Sequence, residues 1–378
     1  MRPVSSLIAR LKEDPVPTRV LCLSEKWESG GIEAFLTTLY EAMDLSDIVI
    51  DLVGCQVSPS IYDERLAALG LEVRPLSGSI KRWGDNLRLF DTLLEQGGYD
   101  TVHLNLYEGL ALLFARSAKR AGVPNVIVHS HNTDLRPSPL RAPKLALHRA
   151  CVGALGGYAD VRWAPSGLAA RFLFGRRPWT QVKNGIYPER FASDPQARAF
   201  LRADLSLGDS LAVGCIGRLC AQKNQGFLLS LLVQMPQAVL VLAGEGEDEQ
   251  ALRRKALELG VGDRVRFCGA LENVAPLYSA LDVLAMPSLF EGLGIVAVEA
   301  QAAGLPVVVS PAVPPEACVD PRLFVRAPSL EEEAWASLLG GPWDGRGGEK
   351  GPLRAVEYDM RLVARQVRAG YEGARPRA

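Results

Sequence analysis

Short apolar runs alternate with stretches of helical spacing along nearly the whole chain. In the first half, Val20–Ser24 (VLCLS), Ile48–Val53 (IVIDLV), Thr101–Leu104 (TVHL) and Asn125–Val128 (NVIV) predict buried strands. Ile32–Met43, Tyr62–Leu69, Asn86–Gln96 and Gly109–Ala121 predict helices between and after them. The second half repeats the pattern. Leu211–Ile216, Ala238–Ala243, Arg264–Phe267, Val283–Met286 and Val307–Ser310 read as strands, and Gln225–Gln234, Glu247–Leu259 and Ile295–Ala303 as helices. Strands alternating with helices of this length imply βαβ units and parallel sheets. The expected fold class is therefore α/β, with two Rossmann-like, doubly wound domains. Such sheets bind ligands beyond the carboxyl ends of their strands. Asn184-Gly185 is a turn signal, so residues 1–183 and 184–352 are expected to form the two domains. A Gly-rich stretch follows at Gly340–Gly351. Helical spacing over Leu353–Tyr371 then predicts a closing helix within 353–378, expected to return toward the first domain. No repeat of 20–50 residues is evident.

Composition narrows the classes. At 378 residues, two domains are expected from roughly 100–200 residues per domain. The chain is 48% hydrophobic and 22% charged, the balance of a globular protein. A net charge of −1 gives no global field to recruit nucleic acid. The seven cysteines contain no C-x-x-C pair, which argues for reduced thiols over zinc or a disulfide framework. The N-terminal MRPVSSLIARLKEDP lacks the apolar core of a signal peptide. No apolar run reaches the ~18 residues of a membrane span. The expectation is a cytoplasmic protein, at most peripheral at the inner face of the plasma membrane.

Four segments carry candidate chemistry, each at the predicted end of a strand. The densest is Pro287–Ala300 (PSLFEGLGIVAVEA), where Gly292 and Gly294 let the backbone turn tightly before a helix. The free N–H groups of that helix start can hold a phosphate. Glu291 and Glu299 are eight residues apart, so they can be separated by up to ~12 Å. That span fits the two ends of a nucleotide sugar. Glu299 also lies in an otherwise apolar helix, where a lone acid is costly without a partner. The second segment, Cys215–Asn224 (CIGRLCAQKN), places Arg218 and Lys223 after Gly217, where two cations can neutralise a departing diphosphate. The third is Trp27-Glu28-Ser29-Gly30-Gly31-Ile32-Glu33, a Gly-Gly turn before a helix. The fourth, Val128–Asn132 (VHSHN), holds two of the four histidines, His129 and His131. Both are expected to lie at the cleft. Metal ligation by the pair is not expected, on the reasoning that alternate strand positions point to opposite faces. Neither a G-x-G-x-x-G fingerprint nor a D-x-D pair is present.

In this order the segments resemble the GT-B glycosyltransferases of family 4, a retaining group that includes many capsule and exopolysaccharide enzymes. The resemblance rests on GGIE at 30–33, HSHN at 129–132, GRLCAQKN at 217–224, LAGEGE at 242–247 and PSLFEGLGIVAVEAQAAGLPVVVS at 287–310. It implies two domains facing a central cleft and a nucleotide-diphosphate sugar donor, taken as a UDP-sugar. Glu291 would bind the hydroxyls of the transferred sugar and Glu299 the ribose. Arg218 and Lys223 would bind the diphosphate, approached from the other domain by Gly30 and Gly31. Gly217, Gly292, Leu293, Gly294 and Ile295 would line the donor pocket. His131 would contact the donor sugar near the reacting carbon, with His129 where a Thr is common. Leu293 replaces the Phe usual in E-G-F-G. The resemblance also implies same-face attack, with the leaving phosphate accepting the acceptor's proton and no metal or cofactor.

Acceptors bind the first domain in such a fold. Between 136 and 177 lie Arg136, Arg141, Lys144, Arg149, Arg162, Arg171, Arg176 and Arg177 against the single acid Asp160. One reading is contact with an anionic membrane and a glycan or lipid-linked acceptor. The other is a solvated helix face, with Pro139 and Pro143 breaking the helical pattern of 142–155. Two competing functions share the architecture: a nucleotide-sugar 2-epimerase, and an inactive partner subunit of a glycan-assembly complex.

Overall fold

The computed structural model describes residues 17–135, 139–341 and 357–373. The N-terminal sixteen residues, Arg136, most of the Gly-rich stretch and residues 353–356 lie outside them.

Two parallel sheets form the scaffold. The first contains β1 (Thr18–Trp27), β2 (Ile48–Val57), β3 (Val73–Pro75), β4 (Thr101–Leu106), β5 (Asn125–Ser130), β6 (Val161–Ala164) and β7 (Thr180–Gln181). Their order across the sheet is β3-β2-β1-β4-β5-β6-β7. The second contains β8 (Leu211–Ile216), β9 (Ala238–Ala243), β10 (Val265–Phe267), β11 (Val283–Met286), β12 (Val307–Val309) and β13 (Phe324–Arg326), in the order β10-β9-β8-β11-β12-β13. Strands such as β9, AVLVLA, are buried at every residue because helices cover both faces of a parallel sheet. The α/β, doubly wound class expected from the pattern is the observed one.

The order reverses between β1 and β4 in the first sheet and between β8 and β11 in the second. A crevice opens at each reversal, because the flanking connections run to opposite faces. The four chemistry-bearing segments follow β1, β5, β8 and β11. Both crevices therefore carry candidate site residues.

The chain leaves the first sheet after Gln181 and enters the second at Leu211. A second passage runs beside the first: Ile186 N–H donates to the Tyr358 carbonyl at 2.7 Å, and Met360 N–H donates to the Ile186 carbonyl at 2.8 Å. Gly185 allows this approach, since a Cβ there would lie 2.7 Å from Met360 Cα. The last helix, Met360–Glu372, then packs Val363, Val367 and Tyr371 into the first domain's core with Val20, Phe35 and Leu36.

Several elements differ from expectation. β1 and β2 each run ten residues, longer than their apolar runs. β3, β7 and β13 are too short to announce themselves by alternation. Helix Arg141–Leu155 forms despite Pro143. That proline lies in the first turn, where its missing N–H has no intrahelical acceptor to lose. Helix Pro195–Asp204 had a readable start: the Asp194 side chain accepts from the N–H groups of Gln196 and Ala197, with Pro at the first helical position.

Candidate functional site at the interdomain cleft

The second sheet builds its bank of the cleft from two loops tied together. Gln222 Nε2 donates to the Phe290 carbonyl at 3.0 Å, Leu289 N–H to the Gln222 carbonyl at 2.8 Å, and Asn224 Nδ2 to the Pro287 carbonyl at 3.2 Å. Glycines make the close packing possible. Gly217 has φ of +135°, and a Cβ on Gly244 would sit 2.2 Å from its carbonyl oxygen. Gly294 caps helix Ile295–Ala302 at φ of +85°, a conformation costly for any other residue.

These loops bring Lys223 and Glu291 together. Lys223 Nζ lies 2.6 Å from Glu291 Oε1, and Ser288 Oγ donates to the same oxygen at 2.7 Å. Glu291 is buried, with 5% of its surface exposed. Burial works against the Lys223 ammonium, but the adjacent carboxylate more than offsets it and holds the pKa above the ordinary lysine value. Gly292, Leu293 and Gly294 are buried beside them, with Ile295 half-buried at the start of the helix. Glu299 is half-buried, and Tyr278 Oη donates to its Oε2 at 2.6 Å. Burial raises the Glu299 carboxyl above its usual range.

Arg218 reaches across the cleft. Its Nη2 lies 2.5 Å from Glu28 Oε2 of the first domain, and its Nε lies 3.9 Å from Glu247. The guanidinium loses solvation there, yet Glu28 and then Glu247 hold its pKa above the usual value. Three further contacts close the seam. Thr133 Oγ1 donates to the Glu291 carbonyl at 3.0 Å, Ser166 Oγ to the Gly292 carbonyl at 2.6 Å, and Gly167 N–H to Glu316 Oε1 at 2.7 Å. A Cβ on Gly292 would sit 2.0 Å from the His131 carbonyl oxygen, so only glycine allows that approach.

The first domain's bank is of a different kind. Gly30 caps helix Gly31–Ala42 in extended backbone, and a Cβ on Gly31 would meet open space. Glu33, in the first turn, is buried, and its carboxyl is pushed up to about 8 by burial, with the Glu28 charge adding to the effect. Glu25 is likewise pushed up to about 8 by burial, although Tyr107 N–H donates to it at 2.6 Å.

The two histidines separate in role. His129 is fully buried, and its Nδ1 lies 3.3 Å from His103 Nε2 on the neighbouring β4. His103 Nδ1 lies 2.8 Å from Tyr371 Oη of the last helix. His131 is half-buried at the seam, and its Nε2 lies 2.9 Å from Asn105 Oδ1. Burial pushes His103 and His131 down to about 3, and His129 well below the ordinary histidine value. The expectation that His129 and His131 face opposite ways is corrected here: their rings are 4.2 Å apart. Positions two apart on a strand share a face. The expectation that both lie at the cleft is corrected as well, because His129 is sealed in the first domain's core. Among the described residues, no group of three His, Cys, Asp or Glu side chains is arranged to hold a metal ion.

The basic stretch also divides. Arg162 donates to the carbonyls of Gly156 and Ala159, and Arg177 to those of Val152, Phe174 and Gly153. Both clamp the end of helix Arg141–Leu155. Arg141 pairs with Asp134 at 2.6 Å. Lys144, Arg149, Arg171 and Arg176 are exposed. The helix turns only His148, Val152 and Leu155 inward. No helix among the described residues is long and apolar enough to cross a membrane.

Glu28, Asn105, Tyr278 and Ser288 were not among the predicted site residues. Glu28 and Ser288 lie inside the quoted motifs, where the adjacent glycines and Glu291 carry the stronger signal. Asn105 and Tyr278 had no local signal.

Two doubly wound domains that meet crevice to crevice, with cations and carboxylates at the seam, form the GT-B fold. The chain belongs to the glycosyl transferases group 1 family. Residues 30–185 match the Glycosyl transferase 4-like domain, and residues 210–339 match Glycosyl transferases group 1. EpsF of Bacillus subtilis, which carries a glycosyltransferase assignment, is 31% identical over 338 residues, spanning 85% of this chain and 86% of EpsF. A GDP-mannose-dependent alpha-(1-6)-phosphatidylinositol monomannoside mannosyltransferase of Mycolicibacterium smegmatis is 31% identical over 302 residues, or 74% of this chain and 76% of that enzyme. Among solved structures, HepE of Anabaena with UDP and glucose superimposes with a TM-score of 0.76 at 20% identity, covering 94% of this chain and 100% of HepE.

Proposed function

We propose that this glycosyltransferase moves a hexose-type sugar, with retention of configuration, from a nucleotide-diphosphate sugar to a glycan or lipid-linked acceptor in surface polysaccharide synthesis. The observation that carries the reading is the Lys223–Glu291 pair beside the Gly294 helix start, with Arg218 at the same seam. Breaking an anomeric C–O bond leaves positive charge on the sugar and negative charge on the diphosphate. Lys223, Arg218 and the helix N-terminus stabilise the diphosphate. Glu291 takes the hydroxyls of the transferred sugar, Glu299 takes the ribose, and the open space over Gly31 admits a phosphate oxygen. The acceptor attacks from the face the diphosphate leaves, and that diphosphate takes its proton. The reaction as proposed uses no metal and no protein nucleophile.

Arg218 is held by Glu28 and Lys223 by Glu291. The diphosphate must therefore displace or share these carboxylates. Replacing Glu291, Arg218 and Lys223 in turn by Ala tests the assignment. Donor turnover surviving within a few-fold in all three overturns it.

The donor nucleotide is proposed as UDP, and the GDP-mannose-dependent relative supports GDP as the competing reading. A thermal-shift panel of UDP, GDP and ADP discriminates them. A ligand at 100 times its dissociation constant adds about 2.7 kcal/mol of stability.

The exposed face of helix Arg141–Leu155 is proposed as a peripheral membrane contact near the acceptor. Leu140 and Leu147 stand exposed there beside Lys144. Apolar residues flanked by cations favour an anionic lipid surface. Co-sedimentation that shows no dependence on anionic lipid removes this part of the reading.

A further inference from the structure

Behind His131 lies a polar residue whose hydrogen bonds determine where the imidazole carries its proton. Asn105, buried on β4, donates from Nδ2 to the Leu23 carbonyl at 3.3 Å and to Cys22 Sγ at 3.4 Å, both on β1. A backbone carbonyl only accepts, so the amino end of the carboxamide must face β1. Its Oδ1 is thereby turned toward His131 Nε2, 2.9 Å away. A carboxamide oxygen also only accepts, so Nε2 is the nitrogen that bears hydrogen. The ring is neutral, because burial favours its uncharged form. A neutral imidazole has one N–H, which leaves Nδ1 with a bare lone pair.

Among the described residues that lone pair has no partner. No described residue hydrogen-bonds His131 Nδ1, and it is not one of the buried polar atoms lacking a partner, as His129 Nε2 is. The residue sits where its own carbonyl meets Gly292, one position from Glu291.

We propose that Asn105 is a positioning residue: it holds His131 as the Nε2–H tautomer, so that Nδ1 faces the cleft as a hydrogen-bond acceptor for a hydroxyl of the donor sugar. The proposal rests on the glycosyl-transfer reading for the identity of the hydroxyl, and on the hydrogen-bond geometry alone for the tautomer. It makes His131 a neutral acceptor in the resting enzyme, neither a cation that draws in phosphate nor a proton donor. His103 and Tyr371, behind His129, complete the buried wall against which these rings stack.

The tautomer can be read directly. The chain has only four histidines, so enzyme labelled with ¹⁵N at histidine gives few ring correlations, and His131→Gln identifies the relevant set. The expected spectrum at neutral pH shows a protonated Nε2 and a pyridine-like Nδ1 for His131. A protonated Nδ1, or a ring carrying both protons, overturns the proposal. The near-isosteric Asn105→Asp change supplies the second arm. Its carboxylate still accepts from Nε2–H but favours the imidazolium. His131 is expected to titrate nearer the ordinary histidine range, and kcat to gain an acid limb absent from the wild type. The expected fall is about tenfold below that limb, with recovery as pH rises. A lowered melting temperature with no new limb and no change in the ring's titration also overturns it. If Asn105→Asp does not fold, the wild-type spectrum still decides. Absence of sugar transfer from any donor would defeat the functional reading and leave the tautomer measurement standing.

Discussion

The two banks of the cleft hold their polar groups by opposite means. On the C-terminal bank, neighbouring carboxylates keep Lys223 and Arg218 charged, while burial pushes Glu299 toward its neutral form. Lys223 and Glu291 compensate each other at 2.6 Å, and Arg218 borrows Glu28 from across the seam. On the N-terminal bank, groups that usually titrate are held neutral. His103, His129 and His131 lose their cationic forms to burial, and Glu25 and Glu33 hold their protons up to about 8. One bank can meet a diphosphate with fixed charge. The other can meet sugar hydroxyls with neutral donors and acceptors, without adding a field that opposes the positive charge on the breaking sugar.

The comparison breaks most readily at its structural anchor. Tyr371→Ala removes a fully buried ring that closes the histidine wall from the last helix. The expected cost is about 3–5 kcal/mol by denaturant unfolding. Nucleotide diphosphate affinity is expected to change little where the variant remains folded. Equal loss of both would mean the banks are not separable.

Lys223→Ala attacks the charged bank. Turnover is expected to fall by about 10²–10³-fold, the effect of removing one preorganised donor from a developing anion. The His131 tautomer should not move. A His131 that shifts its ring titration in this variant would show that charge reaches across the seam.

Stability against pH sharpens the contrast on the neutral bank. The histidines have depressed pKa values in the folded chain, so the unfolded chain binds more protons below about 6.5 and stability falls as pH drops. Glu25 and Glu33 have raised values. The folded chain therefore binds more protons between the unfolded carboxyl range and about 8, and stability falls as pH rises through that window. Glu299 adds to the same limb. The melting temperature is expected to peak near pH 6.5. Glu33→Gln should flatten the alkaline limb by about 2–4 °C per pH unit. A melting temperature that climbs steadily from pH 6.5 to 8 contradicts the raised carboxyls.

The smallest effect is expected from Tyr278→Phe. It removes one hydrogen bond to Glu299, worth about 1 kcal/mol. Donor KM should rise by roughly fivefold with kcat nearly unchanged. A change in kcat alone would place Glu299 at the reacting centre, away from the ribose.

Legibility followed the same division. Gly217, Arg218, Lys223, Glu291, Gly292, Gly294 and Glu299 are legible as candidates because each loop of the charged bank is a contiguous motif between a buried strand and a helix. Their pairing is not legible, since it depends on β8 and β11 lying side by side, which only the sheet topology shows. Glu28 was in view but its partner was not, because Arg218 lies in the other domain. His129 and His131 are legible as a pair, but the placement of both rings on one face, 4.2 Å apart, is not. Asn105 and Tyr278 carried no local mark. A buried Asn on one strand and a Tyr on a short helix gain meaning only from the residue opposite.

What the amino-acid order determined by itself was the alternation of strand and helix, hence two parallel sheets, and the loop chemistry that glycine and charge impose at strand ends. Those follow from interactions within a few residues, where apolar period, turn conformation and helix starts are decided. Tertiary structure alone decided which titratable groups burial holds neutral, which cations are paired with carboxylates, and which side chain His131 Nε2 meets. Each depends on desolvation and on partners far along the chain: Glu28 for Arg218, Asn105 for His131 and Tyr371 for His103. Burial and long-range hydrogen bonding set a protonation state, and neither exists until the chain has folded.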